Sequence, residues 1–175
     1  SLRFADDDAR AFYELLRSGY VGVERSRAKL LINGDATRSN VLRAVKEFLK
    51  RAFEEDLVII YIATHGVIDP DTDELTFLCY DTDPRNLYAE GVKQSELERL
   101  LGRSKAKVVM FVDACHAGML GTAVAMRGEA EAIPRLLERI AEVRRGVAIL
   151  SASGTSEYSR EDERWGGGHG VFTYY

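Results

Sequence analysis

The sequence of 175 residues has only two cysteines, Cys79 and Cys115, and only three prolines. Two thiols do not form a disulfide framework in a domain of this size, so we expect a reducing compartment and a cytoplasmic location. There is no apolar run of the roughly 20 residues that a membrane-spanning helix needs. The net charge is −4, whereas nucleic acids and anionic membranes both favour a basic surface. We therefore expect neither as a partner.

The composition that remains is typical of a soluble globular protein, with 46% hydrophobic and 30% charged residues. This length is enough for one domain with its own core, and we predict a single domain over 1–175. A helical pattern starts within the first few residues, and an apolar strand-like run is cut at Tyr175. We therefore expect the sequence to be a fragment of a longer protein.

Helices and strands alternate along the predicted chain. Helical periodicity predicts a first helix ended by Gly19, a second capped by Thr37, a third opened by a capping box at Ser95–Glu98, and a fourth over Ile133–Val143. Apolar runs predict strands over 29–33, 57–63, 75–80, 108–112, 146–151 and 171–175. Residues 119–131 and 152–168 are expected to be loops. This order predicts an α/β sandwich with a mainly parallel sheet.

Two reactive residues follow two of the buried strands: His65 comes after 57–63 and Cys115 after 108–112. The carboxyl ends of parallel strands meet at one edge of a sheet, where ligands bind. A thiol needs a base to attack a carbonyl at neutral pH, and an imidazole at the same edge supplies one. The N–H groups of Gly66 and Cys115 are candidates for an oxyanion hole.

Each of these residues also has a purely structural interpretation. Cys115 alone is more often a buried inert thiol, and His65 alone a loop histidine. His116 is a rival base, although adjacent residues usually point apart. His169, between glycines, is expected to be structural or near the groove, and Cys79 only packed on its strand. The combination of Cys115 and His65 favours a catalytic pair.

The residues around this pair resemble a known family. Ala63–Gly66 resembles the histidine motif of caspases and metacaspases, and Asp113–Gly118 resembles the metacaspase cysteine motif. The separation of 50 residues (115 minus 65) is typical of caspases. Supporting similarities lie at Leu2–Ala9, Tyr80–Asp83, Glu157–Glu161 and Gly168–Thr173. The resemblance, closest to prokaryotic caspase-like proteases, implies a three-layer α/β/α sandwich whose first strand precedes Ser1 and whose last helix follows Tyr175.

The resemblance also implies a cysteine endopeptidase with an acidic first pocket. Asp113, Asp8 and Glu161, with Glu157 as the fallback for Glu161, match positions that receive a basic side chain, so the expected substrate is a protein or peptide with arginine or lysine at the cleavage position. Asp8 also suits a helix N-terminus without any pocket, and Glu161 a solvated loop. Further groove residues are expected at Ser151, Ser153 and Ser159.

Three further expectations concern processing, regulation and alternatives. Arg127 lies in the predicted loop after Cys115 and is a candidate self-cleavage site. No cofactor or metal is expected: the acidic loop Asp69–Glu74 lacks the glycine of a calcium-binding EF-hand, and calcium activation is left open. Regulatory domains or partner proteins outside this sequence are also left open. The alternative functions are a catalytically idle binding module and a Cys–His transpeptidase.

Overall fold

The computed structural model describes residues 4–116, 137–143, 145–152, 161–162, 169–170 and 173. Its helices are α1 (Ala5–Arg17), α2 (Arg38–Arg51), α3 (Leu87–Glu90) and α4 (Gln94–Leu101), and residues 137–142 are also helical. Its strands are β1 (Leu57–Asp69), β2 (Glu74–Phe77), β3 (Val92–Lys93), β4 (Lys107–His116), β5 (Val147–Ser151), β6 (Glu161–Asp162) and β7 (His169–Gly170). No described helix is long and apolar enough to cross a membrane.

Five strands form one sheet in the order β3-β2-β1-β4-β5. Strands β1, β4 and β5 are parallel to one another. On the other side of β1, strand β2 pairs antiparallel with β1, and β3 pairs antiparallel with β2. Strands β6 and β7 form a separate antiparallel pair. The predicted α/β fold with a mainly parallel sheet is confirmed.

The register of β1 and β4 divides the sheet into two faces, because paired residues of neighbouring strands lie on the same face. One face, here called the core face, includes Val58 of β1 with Val108 and Met110 of β4. Helices α2, α4 and 137–142 cover it with a continuous apolar cluster that includes Leu49, Leu97, Leu101, Leu137 and Ile140.

Helix α1 covers the opposite face, here called the α1 face, which includes positions 61, 63 and 65 of β1 and positions 111, 113 and 115 of β4. The ring of Phe12 stacks on Tyr61 with 4.6 Å between centroids, and it lies 5.3 Å from the ring of Phe111. Together, the two covered faces give the three-layer α/β/α arrangement.

Several predicted boundaries differ from the structure. Residues 29–32 belong to no strand, and Asn33–Asp35 is a 3₁₀ turn. The apolar run therefore stays outside the sheet, which a pattern of side chains does not reveal. Of the strand expected over 171–175, only Thr173 is among the described residues, and it is helical.

Helix α4 begins two residues earlier than its predicted capping box implies. The carboxylate of Glu96 accepts the N–H of Lys93 at 3.2 Å, so the N-cap is Lys93 rather than Ser95. The N–H of Ser95 instead donates to Glu74 of β2 at 3.0 Å. The helix thus keeps a local cap, shifted to Lys93 and Glu96, and the N–H of Ser95 is satisfied by the contact with β2.

Candidate active site

Positions 65 and 115 are paired in the parallel ladder of β1 and β4. Neighbouring strands lie about 4.8 Å apart, so these two residues are direct neighbours on the α1 face. His65 is half-buried, and its Nδ1 atom has almost no exposed surface. The topology therefore brings together the two residues predicted to form the catalytic pair, although they are 50 positions apart in the sequence (115 minus 65).

The sequence predicted that His65 and Cys115 follow the ends of their strands. In the structure both residues lie inside the strands. Strand β1 continues past His65 because its last four residues, from Gly66 to Asp69, pair with β2. The carbonyl of His65 accepts the N–H of Leu78 at 2.9 Å, and the Thr64 hydroxyl donates to the Leu78 carbonyl at 2.6 Å. These bonds fix the backbone on both sides of the histidine.

The predicted oxyanion hole involves N–H groups in the last pairs of this ladder. The Lys107 N–H donates to the Asp56 carbonyl, which sets the alternation of the parallel bonds. Continued in register, this alternation directs the Cys115 N–H to the Thr64 carbonyl and the Gly66 N–H to the Cys115 carbonyl. An oxyanion hole from these groups therefore requires the end of the ladder to open, and it stays a prediction.

Two buried carboxylates belong to the same region of the molecule. Asp113 is 4% exposed and lies two residues before Cys115, so both positions are on the α1 face. Asp8 is 2% exposed and lies one helical turn before Phe12, whose ring packs against that face. Carboxylates are rarely buried this deeply unless a specific partner or role holds them there.

Tyr61 connects these carboxylates with the C-terminal part of the chain. Its hydroxyl lies 2.7 Å from the Thr173 hydroxyl, across 112 residues of sequence. Burial raises the pKa of Tyr61, and the hydrogen bond to Thr173 opposes this, whereas the charges of Asp8 and Asp113 raise it further. The phenol therefore stays protonated at neutral pH.

Sequence reasoning missed Tyr61 and Thr173. One signal for Tyr61 was available, since it precedes His65 by four positions and an even separation on a strand means a shared face. No local pattern marks Thr173, because its partner is distant in the sequence.

The other predicted groove residues either lie in other parts of the sheets or fall outside the described residues. Ser151 pairs with Val112, so it lies on the core face and not with Asp113. Glu161 pairs with Gly170 in the β6–β7 ladder, and β7 lies against α1. The positions of Ser153, Glu157, Ser159 and Arg127 fall outside the described residues.

The acidic loop between β1 and β2 is organised by its own backbone. The Asp69 carboxylate accepts the Asp71 N–H at 2.9 Å, which lowers the pKa of Asp69. Asp73 has a positive φ of 53° and donates its N–H to the Asp69 carbonyl at 2.8 Å. Among the described residues, no group of three or more His, Cys, Asp or Glu is arranged to hold a metal ion. The expectation that this loop holds no calcium ion stays a prediction.

Cys79 is the other cysteine of the sequence. Burial raises the pKa of the Cys79 thiol to about 11, and the charge of Asp81 adds to this effect. Only the thiolate is nucleophilic, and a pKa two units above an ordinary thiol reduces its fraction about 100-fold at neutral pH. We predict that iodoacetamide at pH 7.5 alkylates Cys79 about 100-fold more slowly in the folded protein than in urea, as measured by peptide mass spectrometry. Equal rates in the two states would contradict this.

Comparison with known proteins identifies the class to which this fold and site belong. The family model of the caspase domain, a cysteine peptidase family, matches residues 1–174, so the chain belongs to the caspase domain family. At the family level it is a caspase-like peptidase domain, as its motifs predicted.

A solved structure supports the same fold. The crystal structure of protein GSU0716 from Geobacter sulfurreducens is similar with a TM-score of 0.62 and 19% identity, over 96% of this chain and 69% of that one. At this identity the similarity shows the fold alone. No protein of curated function matches the sequence.

Proposed function

We propose that the protein is a cysteine endopeptidase that cleaves after basic residues, with Cys115 as nucleophile and His65 as general base. The observation that carries this proposal is the pairing of positions 65 and 115 on adjacent parallel strands. Membership of the caspase domain family gives this pair of residues its expected chemistry.

The reaction follows from the two side chains. The sulfur of Cys115 attacks the scissile carbonyl carbon as its proton passes to the imidazole of His65. Negative charge develops on the carbonyl oxygen, where the N–H groups of Gly66 and Cys115 would stabilise it once the ladder end opens. His65 then protonates the departing amine, leaving a thioester. A water molecule, deprotonated by His65, hydrolyses the thioester and restores the thiol.

The proposed specificity for arginine or lysine rests on the burial of Asp8 and Asp113. Position 113 lies two residues below position 115 on the same face, which is about 7 Å along the strand. A basic side chain entering beside the nucleophile would reach this depth and meet negative charge. Arginine forms bidentate bonds with carboxylates, whereas an aspartate side chain would be repelled. Glu161 of the β6–β7 ladder is a further proposed contributor.

A positional peptide library tests the proposal. Wild-type protein and Cys115→Ala are each assayed with every residue at the cleavage position, once with calcium and once with a chelator. We expect hydrolysis after arginine and lysine by the wild type alone. Hydrolysis after aspartate would contradict the acidic pocket, and activity in Cys115→Ala would contradict the nucleophile. The absence of all hydrolysis would favour a binding module, and capture of the acyl group by an added amine would favour a transpeptidase.

We also propose self-cleavage after Arg127. This residue follows Cys115 by twelve positions (127 minus 115), and a peptidase that cleaves after arginine could cut its own chain there. Purified wild-type protein is expected to yield a fragment that begins at Gly128, seen by gel electrophoresis and N-terminal sequencing. Arg127→Ala should remove this fragment, as should Cys115→Ala, while the neighbouring substitution Met126→Ala should not. The same fragment from Arg127→Ala would contradict the assignment.

A further inference from the structure

The register of β1 and β4 fixes the position of Tyr61 relative to the proposed nucleophile. It pairs with Phe111 in the β1–β4 ladder, and the next pair on the same face joins Ala63 with Asp113. The pair after that joins positions 65 and 115. With a rise of about 3.3 Å per residue, Tyr61 lies about 13 Å along the strand from the level of His65. On this face, the pair that contains Tyr61 is therefore one pair further from positions 65 and 115 than the pair that contains Asp113.

The ring of Tyr61 is held in place on one side by helix α1. Phe12 stacks on it with an interplanar angle of 20° and 4.6 Å between centroids. Asp8 lies four residues before Phe12, on the same side of the helix. The helix that immobilises the ring therefore also carries one of the two buried carboxylates.

The hydroxyl of Tyr61 is held by the C-terminal part of the chain. It forms a hydrogen bond of 2.7 Å with the Thr173 hydroxyl. The side chain of Tyr61 therefore lies between Phe12 of α1 and Thr173. Burial raises the pKa of the Tyr61 hydroxyl, and the charges of Asp8 and Asp113 raise it further, so the phenol stays protonated. A neutral phenol oxygen retains lone pairs that accept a hydrogen bond from a guest.

We propose that the Tyr61 hydroxyl, held by Thr173, is the floor of the acidic pocket and makes the pocket selective for arginine over lysine. This inference rests on the proposed peptidase function and specifies its substrate. A guanidinium group has five N–H donors in a planar fork, and two bidentate pairs with the carboxylates use four of them. The phenol oxygen accepts a further N–H at the far end. The ammonium of lysine is a compact charge with three donors, which the carboxylates alone satisfy.

The test compares matched fluorogenic peptides that differ only in arginine or lysine at the cleavage position. The variants are Tyr61→Phe, Thr173→Val and Thr173→Ser, with Tyr80→Phe as the control because Tyr80 is 69% exposed. Active-site titration with a thiol-reactive inhibitor corrects each rate for the amount of competent enzyme. The measured quantity is the ratio of kcat/KM for arginine to that for lysine.

We expect Tyr61→Phe to lower kcat/KM about tenfold for the arginine peptide and less than about twofold for the lysine peptide, since a hydrogen bond to a charged group is lost. Thr173→Val should shift the ratio in the same direction, while Thr173→Ser and Tyr80→Phe should preserve it. An unchanged ratio in Tyr61→Phe, or an equal loss for both peptides, would overturn the inference while leaving the peptidase proposal intact. If the wild type cleaves neither peptide, the peptidase proposal itself fails and this inference fails with it.

Discussion

Replacement of Cys115 by alanine is expected to reduce kcat/KM on an arginyl peptide by about 10⁴-fold, and His65→Ala is expected to cause a loss of similar size. The sulfur forms the covalent bond, and without a base it stays mostly protonated at neutral pH. Residues that act as a unit show strongly non-additive losses. The double variant should therefore be hardly worse than either single variant. Steady-state assays of the three variants check this.

The matched controls for this experiment are the other cysteine and the rival histidine. Cys79→Ala and His116→Ala should each retain activity within about threefold of the wild type, because neither residue has a role in the proposed chemistry. A loss in His116→Ala as large as that in His65→Ala would move the general base to the residue beside the nucleophile. If the losses of the two single variants simply add in the double variant, Cys115 and His65 act independently, which would contradict a catalytic pair.

The second large effect is expected from Asp113→Asn, which keeps the size of the side chain and removes its charge. Removing one partner of a buried charge pair costs about 2–5 kcal/mol, and each 1.4 kcal/mol is a factor of ten. We therefore expect kcat/KM for an arginyl peptide to fall about 100-fold. Asp8→Asn should cause a smaller loss in the same direction, as measured with the same peptides.

Two controls separate charge recognition from damage to the fold. Citrulline has nearly the shape of arginine and no charge, so Asp113→Asn should change cleavage of a citrulline peptide only slightly. The exposed neighbour of Asp8 supplies the second control, and Asp7→Asn should leave both peptides unaffected. Equal losses on the arginine and citrulline peptides would contradict a pocket built on the charge of Asp113.

Much of the fold follows from periodic patterns in the sequence. The apolar runs that became β1, β4 and β5 have the β-branched composition of strands covered on both faces. Their alternation with helices restricts the topology to a small set in which β1 and β4 are parallel. Because His65 and Cys115 follow the apolar parts of these strands, their proximity could be predicted before any coordinates.

The parts that could not be predicted depend on pairing between distant segments. The strand β1 extends beyond His65 because β2 folds back on it, and the run at 29–33 stays outside the sheet although its composition is strand-like. The face of Ser151 follows from its register with Val112, and a shift of one residue would reverse it. The contact of Tyr61 with Thr173 is of the same kind.

The central claim is that Cys115 is an activated nucleophile beside an acidic pocket. The most direct measurement is mass-spectrometric mapping of protein treated with a peptidyl-arginyl chloromethyl ketone, alongside the aspartyl analogue. The account predicts that the arginyl reagent modifies Cys115 stoichiometrically, that the aspartyl reagent leaves it intact, and that His65→Ala removes the modification. Labelling of Cys79 in place of Cys115, or equal labelling by both reagents, would contradict it.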